Sequence, residues 1–242
     1  MRSAIILFMC GRYRLSRRKQ LVEEYFDSPS SEEDWVPRYN VAPTQPVPVI
    51  GQNPKEPIRE LSMMRWGLIP SWAEDASAAA KMINARSATA AGKPAFRDAL
   101  RFRRCLVPAA RILRVVADGE SEAAVLLRSQ RRGTVRVRRI VGPLEEPERQ
   151  WVKSCSILTT TPNAVTSAIH DRMPVILDPD SYDLWLDPGM KDTSAASELL
   201  RPCDARLMRC YPVSTRINHV ANDDEECSRP VEIANAQNRL FT

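Results

Sequence analysis

The 242-residue chain is poor in the residues that build metal and phosphate sites, with two histidines and eight glycines. Its six cysteines form no Cys-x-x-Cys pair and show no His/Cys spacing of the kind that holds zinc. We therefore expect no metal and no cofactor. The sequence also contains no Gly-rich phosphate loop and no internal repeat. We interpret the cysteines as reduced thiols of a cytoplasmic protein, and they are Cys10, Cys105, Cys155, Cys203, Cys210 and Cys227.

The composition sets the size of the core and the charge. A hydrophobic content of 43% is enough to bury a sizeable core, as one large domain or two small ones, and argues against disorder. The 35 lysines and arginines exceed the 30 aspartates and glutamates, which leaves a net charge of +5. That charge fits a polyanionic partner, but a solvated basic face gives the same total. The positions of the arginines are therefore more informative than their number.

Cys10 directly follows Met9, so a chain that starts at Met9, or loses residues 1 to 9, begins with a cysteine. An α-amine has a pKa of about 8 and a thiol of about 8.5, so a usable fraction of each is nucleophilic at neutral pH. Such a 1,2-aminothiol condenses with an aldehyde to a Schiff base, which the thiolate closes to a thiazolidine. Residues 1–8 are too short for a signal peptide, and we interpret them as an over-called start or a removable leader. The alternative is that Cys10 is one of several scattered cysteines without a special role.

Hydrophobic patterning predicts a chain of mixed helices and strands. Helices are expected at residues 16–26, 179–186 and 194–201, the first capped by its opening serine. Strands are expected at residues 47–50 and 156–160, where β-branched residues are concentrated.

Several polar and aromatic side chains admit both a structural and a nucleic-acid-binding interpretation. Asn40 either satisfies turn backbone or contacts a ligand. Trp66 is either a core residue or a platform for an unpaired base. Arg86 and the Arg-rich run at residues 97–104 form either a solvated face or a phosphate-binding surface, because the arginine fork matches phosphate oxygens.

Eight motifs favour the nucleic-acid-binding interpretation over the structural one, because they occur together in the order and spacing of one protein family. They are MCGRY, RYNVAPTQ, RWGLIPSWA, INARS, FRDALRFRRCLVPA, ILTTTPN, IHDRMPVIL and PVSTRIN, and they cover residues 9–109 and 151 to about 227. The chain resembles the SOS response-associated peptidase (SRAP) family, the abasic-site processing proteins.

The resemblance implies an α+β fold, with a single domain that has a β-rich core and flanking helices over residues 9–235. It also implies autoproteolytic exposure of an amino-terminal cysteine, which crosslinks to the aldehyde of an abasic site in single-stranded DNA during DNA repair. Peptidase, hydrolase and lyase-like activities follow from the family. A monomer in the cytoplasm, associated with the nucleoid when bound to DNA and without a membrane partner, is expected.

The resemblance assigns catalytic roles to Cys10, Asn84 and His170. Cys10 matches the thiazolidine-forming cysteine, and Asn84 matches the asparagine that holds it and the sugar. His170 matches the histidine that assists proton transfer as the sugar ring opens, whereas composition alone would make it a structural residue. DNA contacts that position the strand without reading its sequence are expected from Arg12, Asn40, Trp66, Arg86 and Arg104.

One segment departs from the family. After Ala109 the family continues Asp-Gly-Phe-Tyr-Glu-Trp, and Arg114 stands where its acid/base glutamate is expected. Residues 111–150 contain nine arginines, no lysine and no aromatic residue. A one-base shift of reading frame converts residues 111–115 into Gly-Phe-Tyr-Glu-Trp and yields family-like strings at two further places. We hypothesise that residues 110–149 are translated out of frame, and we expect the chain as written to lack two inner strands. Sequencing the gene across this stretch tests the hypothesis, since an intact frame encoding Arg114 would exclude a sequencing error.

Three functions are therefore weighed. The first is a covalent crosslinker of abasic sites, and the second is an amino-terminal-cysteine peptidase or amidohydrolase. The third is a catalytically impaired remnant that binds single-stranded DNA. Whether the chain is an enzyme depends on the missing glutamate. The mass of the mature amino terminus separates the third from the others, because retained residues 1–9 would block the amine of Cys10.

Overall fold

The structure is a computed structural model that describes residues 11–53, 55–73, 75–118, 121–129, 135–140 and 152–231. These residues form thirteen strands and five α-helices, joined by turns and short 3-10 helices. The strands are β1 (Arg12–Leu15), β2 (Arg38–Val41), β3 (Pro46–Gln52), β4 (Arg59–Trp66), β5 (Asn84–Arg86), β6 (Arg104–Ala109), β7 (Arg111–Asp118), β8 (Ser121–Ser129), β9 (Val135–Ile140), β10 (Ser154–Cys155), β11 (Ile157–Thr160), β12 (Met173–Pro174) and β13 (Met208–Val213). The helices are α1 (Lys19–Phe26), α2 (Ser87–Ala90), α3 (Pro94–Phe102), α4 (Tyr182–Leu186) and α5 (Thr193–Glu198).

The strands form three sheets around one core. The first sheet has the order β13-β8-β7-β1-β2, the second β10-β4-β3-β6-β9, and the third β12-β11-β5. One hydrophobic cluster contains Tyr13 from the first sheet, Val49 from the second and Leu158 from the third. Because all three sheets share this cluster, the described residues build a single domain. The predicted α+β class, with a β-rich core and flanking helices, is confirmed.

Strand β1, which follows Cys10 in the sequence, lies inside the first sheet. It pairs antiparallel with β7, with Arg12 opposite Leu113, and with β2, with Tyr13 opposite Val41. Tyr13, Arg14 and Leu15 are buried. Both edges of β1 are therefore hydrogen-bonded, which fixes the chain immediately downstream of the amino-terminal motif.

The Arg-Trp-Gly motif ends β4 in a turn that requires glycine. Gly67 has a φ of +128°, and a Cβ atom there would lie 2.5 Å from the carbonyl oxygen of Ala79. The Gly67 N–H donates to the Cys155 carbonyl at 2.7 Å, and the Trp66 indole N–H donates to the Ile83 carbonyl at 3.0 Å. The turn thus ties β4 to the residue that precedes Asn84.

The predicted helices and strands are present with shifted ends. The first helix begins at Lys19 rather than residue 16, and Arg18 occupies the N-cap position without a side-chain cap. Residues 179–186 form a 3-10 turn followed by α4, and α5 ends before residue 201. The predicted strands correspond to β3 and β11. The α-helices have nine residues at most, and within the described ranges no helix is long and apolar enough to cross a membrane.

The arginine-rich segment after Ala109 forms strands β7, β8 and β9 over its described residues. β7 pairs with β1 and β8, and β9 pairs with β6. The expectation that two inner strands are lost is therefore wrong. A backbone ladder needs extended main chain rather than particular side chains, and the Val, Ile and Leu residues of the segment still favour a strand. No disulfide joins the five cysteines that lie in the described part of the chain.

Candidate nucleic-acid site

Cys10 lies outside the described residues, so its predicted role stays a prediction. The register of β1 nevertheless shows which part of the chain is next to it. Arg12 lies opposite Leu113 in an antiparallel pair, so the same register places position 114 opposite Gly11. Arg114, which stands in place of the family glutamate, therefore occupies a backbone position beside the amino-terminal motif.

Asn84 and Arg86 lie on the same face of β5. In a strand, alternate side chains share a face, and Ile83 and Ala85 are buried at 5% and 2% exposure. Asn84 is partly buried and Arg86 is exposed. Asn84 and Arg86 thus share the face opposite Ala85, and of these two residues only Arg86 is exposed.

Strand β11 carries the second half of the site. It runs parallel to β5, with Ile157 opposite Asn84 and Thr159 opposite Arg86. Arg172 donates to Thr159 through two groups: its Nη2 reaches the backbone carbonyl at 2.7 Å and the Oγ1 at 3.1 Å, and its Nε reaches the Oγ1 at 3.3 Å. Arg172 is therefore bonded to the strand residue that lies opposite Arg86 in the register.

The electrostatics of this arginine pair favour an anion. The pKa of Arg172 is lowered by burial and, to a smaller extent, by the charge of Arg86, while Asp171 opposes the shift. Arg86 makes no ion pair with the residues that the structure describes. The charge of Arg86 thus disfavours the charged form of Arg172, and a phosphate between the two would relieve that repulsion. Sequence reasoning missed Arg172, although its place two residues after His170 in one family motif was a signal.

His170 lies beside this pair, with its side chain about nine-tenths buried at 10% exposure. Its Nδ1 accepts the backbone N–H of Arg172 at 3.0 Å, and it also contacts the exposed carboxylate of Asp171. The N–H requires an unprotonated Nδ1, whereas a hydrogen bond to the carboxylate requires a protonated one. The contact with the N–H therefore fits a ring whose proton is on Nε2, and the contact with the carboxylate fits a ring with a proton on Nδ1. The role of His170 in proton transfer stays a prediction.

Arg12 is held without an acidic partner. Its Nη1 donates to the Asn40 Oδ1 at 2.9 Å and to the Ile217 carbonyl at 2.8 Å, and its Nη2 donates to the Asn218 carbonyl at 3.3 Å. Burial lowers its pKa from the ordinary value. Within the described residues no carboxylate pairs with this guanidinium, so its charge is available to a phosphate.

Asn40 has a structural role, which contradicts its prediction as a DNA contact. It is fully buried, at 0% exposure. Its Nδ2 donates to three backbone carbonyls, those of Ile217 at 3.1 Å, His219 at 3.0 Å and Asn222 at 2.7 Å. The side-chain amide is buried and its N–H groups all donate to backbone carbonyls, so it cannot contact a nucleotide. Asn40 fixes the segment that holds Arg12.

Trp66 belongs to the core, which contradicts its prediction as a stacking platform. Its exposure is 0%, and its ring packs edge-on against Tyr13 with ring centres 5.6 Å apart. A ring with no accessible face cannot stack on a base. Trp72, six residues later in the same motif, is 64% exposed. Of the two tryptophans, only Trp72 is placed to meet an unpaired base.

Arg104 also fills a structural position rather than the predicted DNA contact. It is 7% exposed, and its guanidinium lies over the Trp185 ring, 5.2 Å from the ring centre. Its nitrogens donate to four backbone carbonyls, those of Leu100, Arg101, Trp185 and Asp187. It joins the end of α3 to the end of α4.

A profile of the SOS response associated peptidase (SRAP) family matches residues 9–220. The chain belongs to this family. It is 35% identical over 224 residues to "Abasic site processing protein YoqW" of Bacillus subtilis (strain 168), which covers 90% of this chain and 98% of that protein. It is 31% identical over 241 residues to "Abasic site processing protein HMCES" of Gallus gallus, covering 81% of this chain and 67% of that protein.

A solved structure supports the architecture. The crystal structure of a protein from Bacteroides thetaiotaomicron superposes with a TM-score of 0.81 at 24% identity, covering 92% of this chain and 100% of that chain. At this identity the likeness concerns the fold alone. The overall fold is therefore shared with an experimentally determined structure.

Proposed function

We propose that this SRAP-family protein processes abasic sites in single-stranded DNA by forming a covalent thiazolidine link through Cys10. The observation that carries the proposal is the pairing of β5, which bears Asn84 and Arg86, with β11. Thr159 of β11 lies opposite Arg86 and is bonded by Arg172, whose backbone N–H is in turn bonded to His170. Relatives that are 31% to 35% identical over most of the chain are named abasic site processing proteins, which supports the substrate class.

The chemistry follows from an amino-terminal cysteine and an aldehyde. The α-amine of Cys10 adds to the open-chain aldehyde of the abasic sugar and expels one water to give a Schiff base. The thiol then adds across the C=N bond, with sulfur on carbon and its proton on nitrogen, which closes the five-membered ring. Self-cleavage of the bond before Cys10 would supply the amine, and this peptidase step is part of the proposal.

The described residues have separate tasks in this scheme. Arg86 and Arg172 bind backbone phosphates, which positions a strand without reading its bases. Asn84, on the same face as Arg86, holds the sugar. His170 acts from its imidazolium form, in which Nδ1 is paired with Asp171. It donates the Nε2 proton to the ring oxygen as the sugar opens, and the neutral ring that remains keeps its proton on Nδ1. A monomer is sufficient for these tasks.

A crosslinking assay tests the proposal. Protein whose amino terminus is verified by mass as Cys10 is incubated with a single-stranded oligonucleotide containing one abasic site and resolved by denaturing electrophoresis. We expect a stable adduct for the wild type and none for Cys10→Ala, which has an amine but no thiol. Cys10→Ser serves as the matched control, because its amine forms a Schiff base that survives only after borohydride reduction. An adduct of wild-type yield and stability from Cys10→Ala would overturn the thiazolidine assignment.

Because Arg114 stands in place of the family glutamate, we expect slower crosslinking and no release of the crosslink. A glutamate at the position opposite Gly11 would move protons during Schiff-base formation and release, and an arginine cannot do so near neutral pH. We therefore propose that the chain as written crosslinks more slowly than an Arg114→Glu variant and does not reverse its crosslink. An adduct that decays on transfer to excess aldehyde-reactive trap, with Arg114 present, would contradict this restriction.

A further inference from the structure

A carboxylate in the carboxy-terminal part of the chain is bonded to the strand beside β1. The Oδ1 of Asp223 accepts the backbone N–H of Asn40 at 2.7 Å and that of Tyr39, and its Oδ2 pairs with the Arg38 guanidinium. All three partners belong to β2. Asp223 is thus a clamp between β2 and the Ile217–Asp223 segment, which the Asn40 side chain also holds.

Asp223 is connected to Arg12 through two successive hydrogen-bonded contacts. Asp223 fixes the backbone of Asn40, and the Oδ1 of Asn40 then accepts the Arg12 Nη1 at 2.9 Å. The carbonyls of Ile217 and Asn218, in the same segment as Asp223, accept the remaining bonds of the Arg12 guanidinium. Every described contact of the Arg12 guanidinium is therefore to a group that Asp223 or its segment positions.

The placement of the carboxylate has an electrostatic consequence. A carboxylate in direct contact with Arg12 would hold the guanidinium but would also cancel its charge towards a phosphate. The charge of Asp223 is instead directed at Arg38 and at backbone N–H groups, and among the described residues only neutral oxygens accept hydrogen bonds from Arg12. The arrangement orients Arg12 without a carboxylate partner from that part of the chain.

We infer that Asp223 is a positioning residue for DNA binding, which holds Arg12 in the orientation that contacts a backbone phosphate next to the amino-terminal cysteine. The inference rests on the proposed function. Asp223 itself does not touch DNA, so its loss acts through Arg12.

The test measures the salt dependence of single-strand binding. Fluorescence anisotropy of an abasic-site oligonucleotide is recorded across a salt series for wild type, Arg12→Met, Asp223→Asn and the double variant. Each single-strand phosphate contact contributes about 0.7 to the slope of log affinity against log salt. We expect Arg12→Met and Asp223→Asn each to reduce the slope by about 0.7, and the double variant to show no further reduction, because both changes remove one contact.

Asp224→Asn is the matched control. It removes the next carboxylate along the chain, which pairs with exposed Arg216 and does not contact β2. It changes the net charge by the same amount as Asp223→Asn, so we expect its slope to equal that of the wild type. If Asp223→Asn does not fold, Asp223→Glu is compared with Asp224→Glu. The longer glutamate side chain keeps the charge but displaces β2 when it stands at position 223. Only Asp223→Glu should therefore reduce the slope of log affinity against log salt.

The outcomes separate two failures. A lower melting temperature for Asp223→Asn with a wild-type slope would overturn the inference and leave a purely structural clamp. Additive slope losses in the double variant would also overturn it. A flat salt response of the wild-type protein would overturn the inference and the phosphate contacts assigned under the proposed function. A steep wild-type response without a covalent adduct would overturn the proposed function alone.

Discussion

Arg104 and Arg86 were predicted to have the same role, yet the structure gives them opposite environments, and substitution should separate them. Arg104 is 7% exposed and donates four hydrogen bonds to backbone carbonyls at 2.6 to 3.0 Å. A hydrogen bond from a charged group contributes at least about 1.5 kcal/mol, so four give about 6 kcal/mol before the cost of burying the cation. Part of that gain is offset by desolvation, which lowers the pKa of Arg104.

We therefore expect Arg104→Met to lower the free energy of unfolding by about 3–5 kcal/mol, since four carbonyls lose their partners while the methionine retains the apolar stem. That is a large share of a total stability of roughly 5–15 kcal/mol. Arg86→Met removes an exposed side chain and should change stability by no more than about 0.5 kcal/mol.

Urea denaturation and salt-dependent single-strand binding measure the two effects on the same proteins. Arg104→Met should shift the urea midpoint without a change in the slope against salt, and Arg86→Met should reduce that slope by about 0.7 without a change in midpoint. The reasoning is refuted if Arg104→Met stays within about 1 kcal/mol of wild type and loses slope, because Arg104 would then contact DNA rather than support the fold.

Three further substitutions and one labelling experiment probe other parts of the molecule. Gly67→Ala should lower the free energy of unfolding, measured by urea denaturation, by at least about 2 kcal/mol, because its Cβ would meet the Ala79 carbonyl. Gly51→Ala is the control: its Cβ would meet nothing within 4 Å, so its stability should stay close to that of the wild type. Trp72→Ala should weaken single-strand binding by about 1–3 kcal/mol in anisotropy titrations with the fold intact, and an unchanged affinity would exclude base stacking. Arg114→Glu should speed crosslink release at least about tenfold over Arg114→Gln in a gel-based release assay, and equal rates would show that the carboxylate has no acid/base role. Burial raises the pKa of Cys203 to about 11, so the thiol stays neutral at pH 8 and becomes a thiolate only as the pH rises towards 11. Peptide mapping of the folded protein should therefore find Cys203 unalkylated by iodoacetamide at pH 8. Rapid labelling would contradict this.

The sequence was sufficient for the family, the α+β class and the strands around residues 47–50 and 156–160, because apolar periodicity and motif order are local properties. It was not sufficient for Trp66, since a tryptophan between an arginine and a glycine has the same local pattern whether its ring is buried or exposed. Only the packing against Tyr13 and the bond to the Ile83 carbonyl distinguish the two. The role of Asn40 likewise depends on carbonyls more than 170 residues away in sequence.

Residues 111–140 show a different limit of sequence reasoning. The segment was expected to lose strands because arginines replaced the aromatic pattern of the family. The described backbone instead pairs with β1, β6 and β13, since pairing is decided by extended main chain and by neighbours that already present free edges. What the composition does change is the charge next to β1: Arg14 lies opposite Arg111 in the β1–β7 register, and the pKa of Arg14 is lowered by burial and, to a smaller extent, by the charge of Arg111. A frame-shifted chain would carry glycine at position 111 and glutamate at position 114, which removes that repulsion and supplies the missing carboxylate together.

Two arginines near the candidate site differ in their partners from several exposed arginines elsewhere in the described residues. Some of those exposed arginines pair with carboxylates, as Arg206 does with Asp204 and Arg216 with Asp224. Near the site, Arg12 is held by an amide and carbonyls, and the described bonds of Arg172 go to Thr159. Hydrogen bonds to neutral oxygens fix the orientation of a guanidinium without cancelling its charge. The positive potential around Arg12 and Arg172 therefore depends on the neutral groups that hold them.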